Sequence, residues 1–226
     1  MPKKKRIPLP RKVLSRIDYN MVLLSSDFER KYASYQLPMQ DARVYLIPDF
    51  IPKEEQPQVQ QALEEQVAWR QEKIRMFGRQ VEQPRLTAWY ANAGKSYTYS
   101  GLTWEPLPWI PQLLSLKSTL EQLTGAAFNS VLLNLYRHGQ DSMGWHADDE
   151  PELGQNPIIA SLSLGQDRTF SFRHRQQKDL KQQLVLPSGS LLLMAGTTQH
   201  FWHHQLPKTA KGVQPRINLT FRFIYK

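Results

Sequence analysis

The sequence predicts a mostly β protein with flanking helices, an α+β chain whose strands close into a sandwich or barrel. Three observations lead there. From Val131 onward, short apolar-rich runs are separated by turn residues with no helical pattern between them: Val131–Tyr136, Ile158–Leu164, Thr169–Arg173, Gln183–Leu186, Ser190–Met194 and Ile217–Ile224. Helical periodicity is confined to the chain before Gly125. The 16 prolines and 11 glycines suit a turn-rich β architecture better than a helical bundle.

Taken in order, residues 1–16 (MPKKKRIPLPRKVLSR) combine Lys and Arg with prolines and little apolar periodicity. They read as a basic, partly flexible arm able to touch phosphates, with residues 1–40 outside a folded unit that starts near Asp41. The run Lys3-Lys4-Lys5-Arg6 fits a nuclear address and a solvated tail equally. From Lys53 to Arg70, Val59, Leu63, Val67 and Trp69 recur at near-helical spacing among Glu and Gln, which predicts an amphipathic helix. A second helix is expected over Ile110–Leu123, introduced by prolines 106, 108 and 111 and stopped at Gly125.

The last run alternates. Ile217, Leu219, Phe221 and Phe223 fall on one face of a strand, and Arg216, Asn218, Thr220 and Arg222 on the other. If the polar face meets solvent, this is an outer strand. If it points into a barrel, the arginines need an anion, because an unpaired buried charge is very costly. By the same period, Asn134 and Tyr136 share one face.

The formal charge of +9 favours polyanionic partners, nucleic acid first, although a basic protein without such a partner has the same charge. No apolar run approaches the roughly 18 residues that span a bilayer, and the N-terminus lacks a secretory apolar stretch. A soluble intracellular monomer is expected, in the nucleus of a eukaryote or in the cytoplasm and nucleoid of a bacterium. There is no cysteine, so disulfides and thiolate sites are excluded and a transition metal must use His, Asp or Glu.

His146-Ala147-Asp148 places an imidazole and a carboxylate on one side of an extended segment, able to reach one ion. Chance also produces so short a motif, and its bland reading is a polar loop. A third ligand is sought in His200-Phe201-Trp202-His203-His204. Neighbouring residues of an extended chain face opposite ways, so one of His203 and His204 is expected to bind. Two histidines and one carboxylate leave open positions on a metal, the arrangement of non-haem iron(II) oxygenases.

From Tyr45 to the C-terminus the chain resembles the AlkB-like 2-oxoglutarate/iron(II) dioxygenases of nucleic-acid repair, close to the vertebrate DNA-repair branch. The ordered segments that carry the resemblance are Pro84-Arg85-Leu86-Thr87-Ala88-Trp89-Tyr90, Tyr97-Thr98-Tyr99-Ser100-Gly101, Asn134-Leu135-Tyr136, Trp145-His146-Ala147-Asp148-Asp149-Glu150 and Pro215-Arg216-Ile217-Asn218-Leu219-Thr220-Phe221-Arg222. The resemblance implies a double-stranded β-helix (jelly roll) over about 128–226, within a single domain 41–226, and a nucleotide-recognition lid over about 70–105. It selects His204, which precedes Gln205-Leu206-Pro207, as the third iron ligand beside His146 and Asp148. It implies 2-oxoglutarate as co-substrate with O2, its far carboxylate on Arg216, and Asn134, Tyr136, Asn218, Thr220 and Arg222 around it.

The implied activity is oxidative demethylation of N-alkylated bases such as 1-methyladenine and 3-methylcytosine in DNA, by base flipping and iron(IV)-oxo hydroxylation with release of formaldehyde. Phe77, Gly78 and Arg79 match the family's finger that fills the gap left by a flipped base. Without the family, a turn folded onto the core is the simpler reading. Tyr97 and Tyr99 match base-stacking positions, with Thr98 between them as a further substrate-site candidate, though tyrosines in a strand also pack cores. Asp149 matches an acid that reads the base's exocyclic amine and is otherwise a surface carboxylate. The same chemistry on RNA or a protein side chain, or a non-catalytic metal-binding nucleic-acid module, are the rival readings.

Overall fold

The structure, a computed structural model, describes residues 23–225 except 77, 78, 96, 100 and 101, with the backbone but not the side chains of 74–76, 79, 97–99 and 102–104. In chain order come α1 (Ser26–Lys31), β1 (Arg43–Ile47), α2 (Gln56–Gln66), β2 (Lys73–Met76), β3 (Arg79–Glu82), β4 (Leu86–Ala91), β5 (Tyr97–Tyr99), β6 (Leu102–Trp104) and α3 (Pro111–Thr124). Then follow β7 (Ser130–Tyr136), β8 (Met143–His146), β9 (Ile159–Gly165), β10 (Arg168–His174), β11 (Lys181–Leu186), β12 (Leu191–Ala195), α4 (Thr198–Phe201), β13 (Trp202–Leu206) and β14 (Arg216–Arg222).

Two sheets carry the fold. The larger runs β1-β12-β9-β14-β7-β4 and the smaller β11-β10-β13-β8. Their strands pair antiparallel among the described residues, as a double-stranded β-helix requires. Each strand of the larger sheet is sorted by its period of two. Leu133, Leu162, Leu193 and Leu219 join Val59 and Leu63 of α2 and Leu113, Leu116 and Leu120 of α3 in a helix-side core. Leu132, Ile159, Leu192 and Met194 point the other way and meet Phe172, Leu186 and Trp202 of the smaller sheet. The strand interiors are therefore buried on both faces, which explains their near-continuous apolar runs.

The helices are shorter than or shifted from their expected bounds for identifiable reasons. Helix α2 begins late because a proline occupies its first turn, and it ends where Val67 turns extended (φ −78°, ψ 133°), leaving Trp69 to pack on the core from the following segment. Helix α3 has Pro111 in its first turn and Gly125 at its C-terminus in the left-handed region (φ 73°).

The folded part also begins before Asp41, the expected boundary. Ser25 caps α1 by accepting from the Phe28 backbone N–H (3.1 Å), and its own N–H donates to the Thr124 carbonyl at the end of α3 (2.8 Å). Phe28 is 2% exposed and packs edge-on against Tyr45. A six-residue helix with one buried residue has too little periodicity to register in the sequence. The basic run at residues 1–16 lies outside the described residues.

The expected lid over about 70–105 is divided. β2–β3 and β5–β6 form separate two-stranded sheets, but β4 between them pairs with β7 inside the larger sheet. Ala88 and Tyr90 enter the helix-side core while Trp89 and Ala91 enter the core between the sheets, so β4 belongs to the framework. With β1 and β4, the larger sheet draws strands from well before residue 128. Among the described residues no helix is long and apolar enough to cross a membrane.

The loop from β7 to β8, which leads to His146, is tied by Asp141. Its buried carboxylate accepts from the Arg137 backbone N–H (2.9 Å), Nε (2.8 Å) and Nη2 (3.1 Å). Burial alone raises this carboxyl, but the bonds from Arg137 hold it below the usual carboxylate range. A depressed folded pKa stabilises the fold above the ordinary value of about 3.9, and that contribution is lost as pH falls through the folded value. Asp141→Asn is expected to cost about 1–3 kcal/mol at pH 7. Urea denaturation at pH 7 and below pH 4 checks this, since the gap from wild type should shrink on acidification.

Candidate metal and co-substrate site

The two faces of β14 settle its alternation. Ile217, Leu219 and Phe221 lie in the helix-side core, and Arg216, Asn218, Thr220 and Arg222 point between the sheets, all buried. Asn134 and Tyr136 stand opposite Asn218 and Arg216 on β7. Across the gap, β8 and β13 bring His146 opposite His204. One cavity is lined from both sides, by Asn134, Tyr136, Arg216 and Arg222 from the larger sheet and by the histidines and Asp148 from the other.

Side-chain ligand atoms of His146, Asp148 and His204 all lie within 4.8 Å of one another. His204 Nε2 is 3.9 Å from Asp148 Oδ2, and the two imidazole rings are 4.2 Å apart. His146 Nδ1 lies 2.8 Å from the Gly144 carbonyl, an acceptor only, so Nδ1 carries the proton and Nε2 keeps its lone pair. Burial lowers the pKa of both histidines, that of His204 to about 3, which keeps their lone pairs available. Burial would raise the Asp148 carboxyl, but Arg222 first, then the imidazoles, hold it below the usual range. Two neutral imidazoles and one carboxylate form a donor set that suits iron(II).

The three candidate histidines separate cleanly. His203, one residue along β13, is only partly buried and is absent from the cavity lining. His200 is exposed in α4, its Nε2 2.9 Å from Asn156 Oδ1.

Arg216 is fully buried, and burial lowers its pKa to about 10. Its Nη2 donates to Ser163 Oγ (2.9 Å) and its guanidinium lies 5.5 Å from the Tyr136 ring centroid. Its Nε has no hydrogen-bond partner, and among the described residues no carboxylate lies within ion-pair distance of it. A buried cation left this way fits an incoming carboxylate, which a planar guanidinium binds bidentately. Asn218 and Thr220 are committed locally: Asn218 Nδ2 donates to Ser161 Oγ and the Leu162 carbonyl, and Thr220 Oγ1 to Asn218 Oδ1. Arg222, expected around the co-substrate, donates from Nη2 to Asp148 Oδ1 at 2.7 Å and so also anchors the triad.

Several residues of the site escaped the sequence reading. Buried Arg85 donates from Nε to Asn134 Oδ1 (2.7 Å) and from Nη1 to the Ser142 carbonyl (3.2 Å). Phe170 stacks on His204 with centroids 5.4 Å apart. Gln199 accepts from the Asp148 backbone N–H. Ser161 and Ser163 alternate with Leu162 and Leu164, so the period-two argument used for β14 would have placed them inside.

Phe77 and Gly78 lie outside the described residues, between β2 and β3, where Met76 stands opposite Arg79. Tyr97, Thr98 and Tyr99 form β5, paired with β6, and like Arg79 are placed by backbone alone. Asp149 is exposed and is not among the residues lining the cavity; its Oδ2 accepts from Arg175 Nη1 at 2.9 Å.

The sequence profile of the 2OG-Fe(II) oxygenase superfamily matches residues 43–222. The human alpha-ketoglutarate-dependent dioxygenase alkB homolog 3 is 42% identical over 208 residues, covering 88% of this chain and 72% of that protein. The human DNA oxidative demethylase ALKBH2 is 43% identical over 159 residues, covering 67% of this chain and 61% of its own length. The solved structure of OsALKBH1 shares the fold, with a TM-score of 0.51 at 18% identity over 79% of this chain and 97% of that one. The chain belongs to the 2OG-Fe(II) oxygenase superfamily, in its AlkB-like branch, and is a dioxygenase that depends on iron(II), 2-oxoglutarate and O2.

Proposed function

We propose that this enzyme repairs DNA by oxidising N-methyl groups of bases such as 1-methyladenine and 3-methylcytosine. The observation that carries the reading is one cavity holding both the His146–Asp148–His204 triad and the fully buried Arg216. The names of the relatives, an alkB homolog and a DNA oxidative demethylase, support DNA as the substrate.

His146 Nε2, Asp148 and His204 would hold iron. Arg216 would receive the far carboxylate of 2-oxoglutarate, with Ser163 and Tyr136 orienting the guanidinium. Asn134 through its bond from Arg85, Asn218 through its bonds to β9, and Thr220 through its bond to Asn218 would fix the polar wall. Arg222 keeps Asp148 ionised and aimed. Phe170, Met143 and Leu206 make the rest of the wall apolar, which limits water beside the triad. When bound, iron(II) with 2-oxoglutarate and O2 supplies oxidation of the methyl C–H bond, so that the methyl carbon leaves as formaldehyde and the co-substrate as succinate and carbon dioxide.

On the substrate side, Phe77, with Gly78 and Arg79 beside it, would fill the space of the flipped base, Tyr97 and Tyr99 would stack on it with Thr98 between them, and Asp149 would read its amine. In this reading the folded part, which begins before Asp41, acts as one dioxygenase domain, the hairpins β2–β3 and β5–β6 handle the nucleotide, and the basic residues 1–16 touch phosphates.

Oligonucleotides carrying one 1-methyladenine or 3-methylcytosine, offered as duplex DNA, single-stranded DNA and RNA, should release equal amounts of formaldehyde and succinate. No turnover on any methylated DNA would sink the reading. Turnover restricted to RNA would move the substrate to that class. Phe77→Ala should lower duplex turnover most, by about tenfold, because unstacking within a duplex costs a few kcal/mol.

A further inference from the structure

We propose that Gln199 is a positioning residue that sets where the Asp148 carboxylate stands relative to His204. This rests on the reading of His146, Asp148 and His204 as the metal site. Strand β8 ends at His146, so no strand pairing holds the backbone of Asp148. Gln199 supplies the missing restraint. It lies in α4, the single turn that leads into β13 and His204, and it is 1% exposed.

Both ends of its amide are engaged. Oε1 accepts from the Asp148 backbone N–H at 3.0 Å, and Nε2 donates to Met194 Sδ at 3.5 Å. The Asp148 N–H requires an acceptor, which orients the amide with its oxygen toward Asp148. Gln199 is itself fixed, since its backbone carbonyl accepts from Arg175 Nη1 at 3.3 Å.

Asp148 is thus held at two points. Gln199 fixes its backbone, Arg222 engages Oδ1, and Oδ2 is left 3.9 Å from His204 Nε2. One side chain joins the segment that carries Asp148 to the turn that starts the strand of His204. A slip of one would be passed to the other, and outer partners of metal ligands typically change metal affinity 10–100-fold when removed.

The test uses cobalt(II) as a spectroscopic probe in the full chain, with thermal melting of the metal-free protein alongside. Gln199→Leu keeps the volume and removes the acceptor. It should weaken cobalt(II) binding 10–100-fold and shift the visible absorption band of the bound ion. Gln199→Asn, which withdraws the acceptor by one methylene, should do the same to a smaller degree and serves if the leucine variant does not fold. Gln199→Glu keeps an acceptor oxygen and should retain the wild-type band. Lower melting temperatures with wild-type cobalt affinity and band in the Leu or Asn variant would overturn the inference, leaving Gln199 a structural brace only. If the wild-type protein itself binds no cobalt, the metal-site reading fails, and the inference with it.

Discussion

Replacing Arg216 with methionine should lower the affinity for 2-oxoglutarate by about 100–4,000-fold while manganese(II) binding stays within about twofold of wild type. The first figure follows from removing one partner of a buried, charge-assisted pair, about 3–5 kcal/mol, at about 1.4 kcal/mol per tenfold. The second follows from placement, because Arg216 bonds Ser163 and faces Tyr136 without touching the triad. The metal-free protein should be as stable as wild type or more so. Its guanidinium is fully buried with Nε unpartnered, and replacing such a charge with an apolar side chain of similar length removes a desolvation cost. Titration calorimetry with manganese present, together with thermal melting, tests both halves. Unchanged co-substrate affinity would show that the carboxylate binds elsewhere.

The second large effect separates Asp148 from His146. Either Asp148→Asn or His146→Ala should cut turnover by at least about a thousandfold, since each removes a metal ligand from a set of three. Their effects on the metal-free fold should differ. Asp148 is the buried carboxylate that accepts from Arg222 at 2.7 Å, and neutralising it should cost about 3 kcal/mol. His146 is neutral and held through Nδ1 by the Gly144 carbonyl, so its loss should cost less, about 1 kcal/mol. Denaturant unfolding without metal measures the difference. Equal costs would mean that Arg222 draws no stability from Asp148.

Much of this was legible in the sequence because strand chemistry is local. The alternation in Arg216–Phe223 set a polar face against an apolar one, and the structure puts the first beside the triad and the second on α2 and α3. The six expected strands in the C-terminal half all form, each within a few residues of its expected ends. Proline and Gly125 marked the ends of α3 for reasons a single turn of chain contains. What local pattern could not supply was the company each residue keeps. The family resemblance placed Arg222 around the co-substrate, and only the packing of β14 against the Asp148 segment reveals its bond to the carboxylate. Arg85 and Gln199 carry no periodic mark, since each works through bonds to residues far along the chain. The stretch around β4 looked like part of a lid until pairing with β7 placed it in the framework.

The sequence by itself determined the two-faced strands, the donor types open to a metal and, through its ordered motifs, the family. Those depend on residue chemistry and on the period of two, which a strand has wherever it lies. The tertiary structure decided which of His200, His203 and His204 reaches the cavity, what each arginine is paired with, and where the folded part begins. These depend on burial and on contacts between residues far apart in the chain. Sheet pairing and packing create those together: the register that sets His204 opposite His146 is made by two strands and written in neither alone.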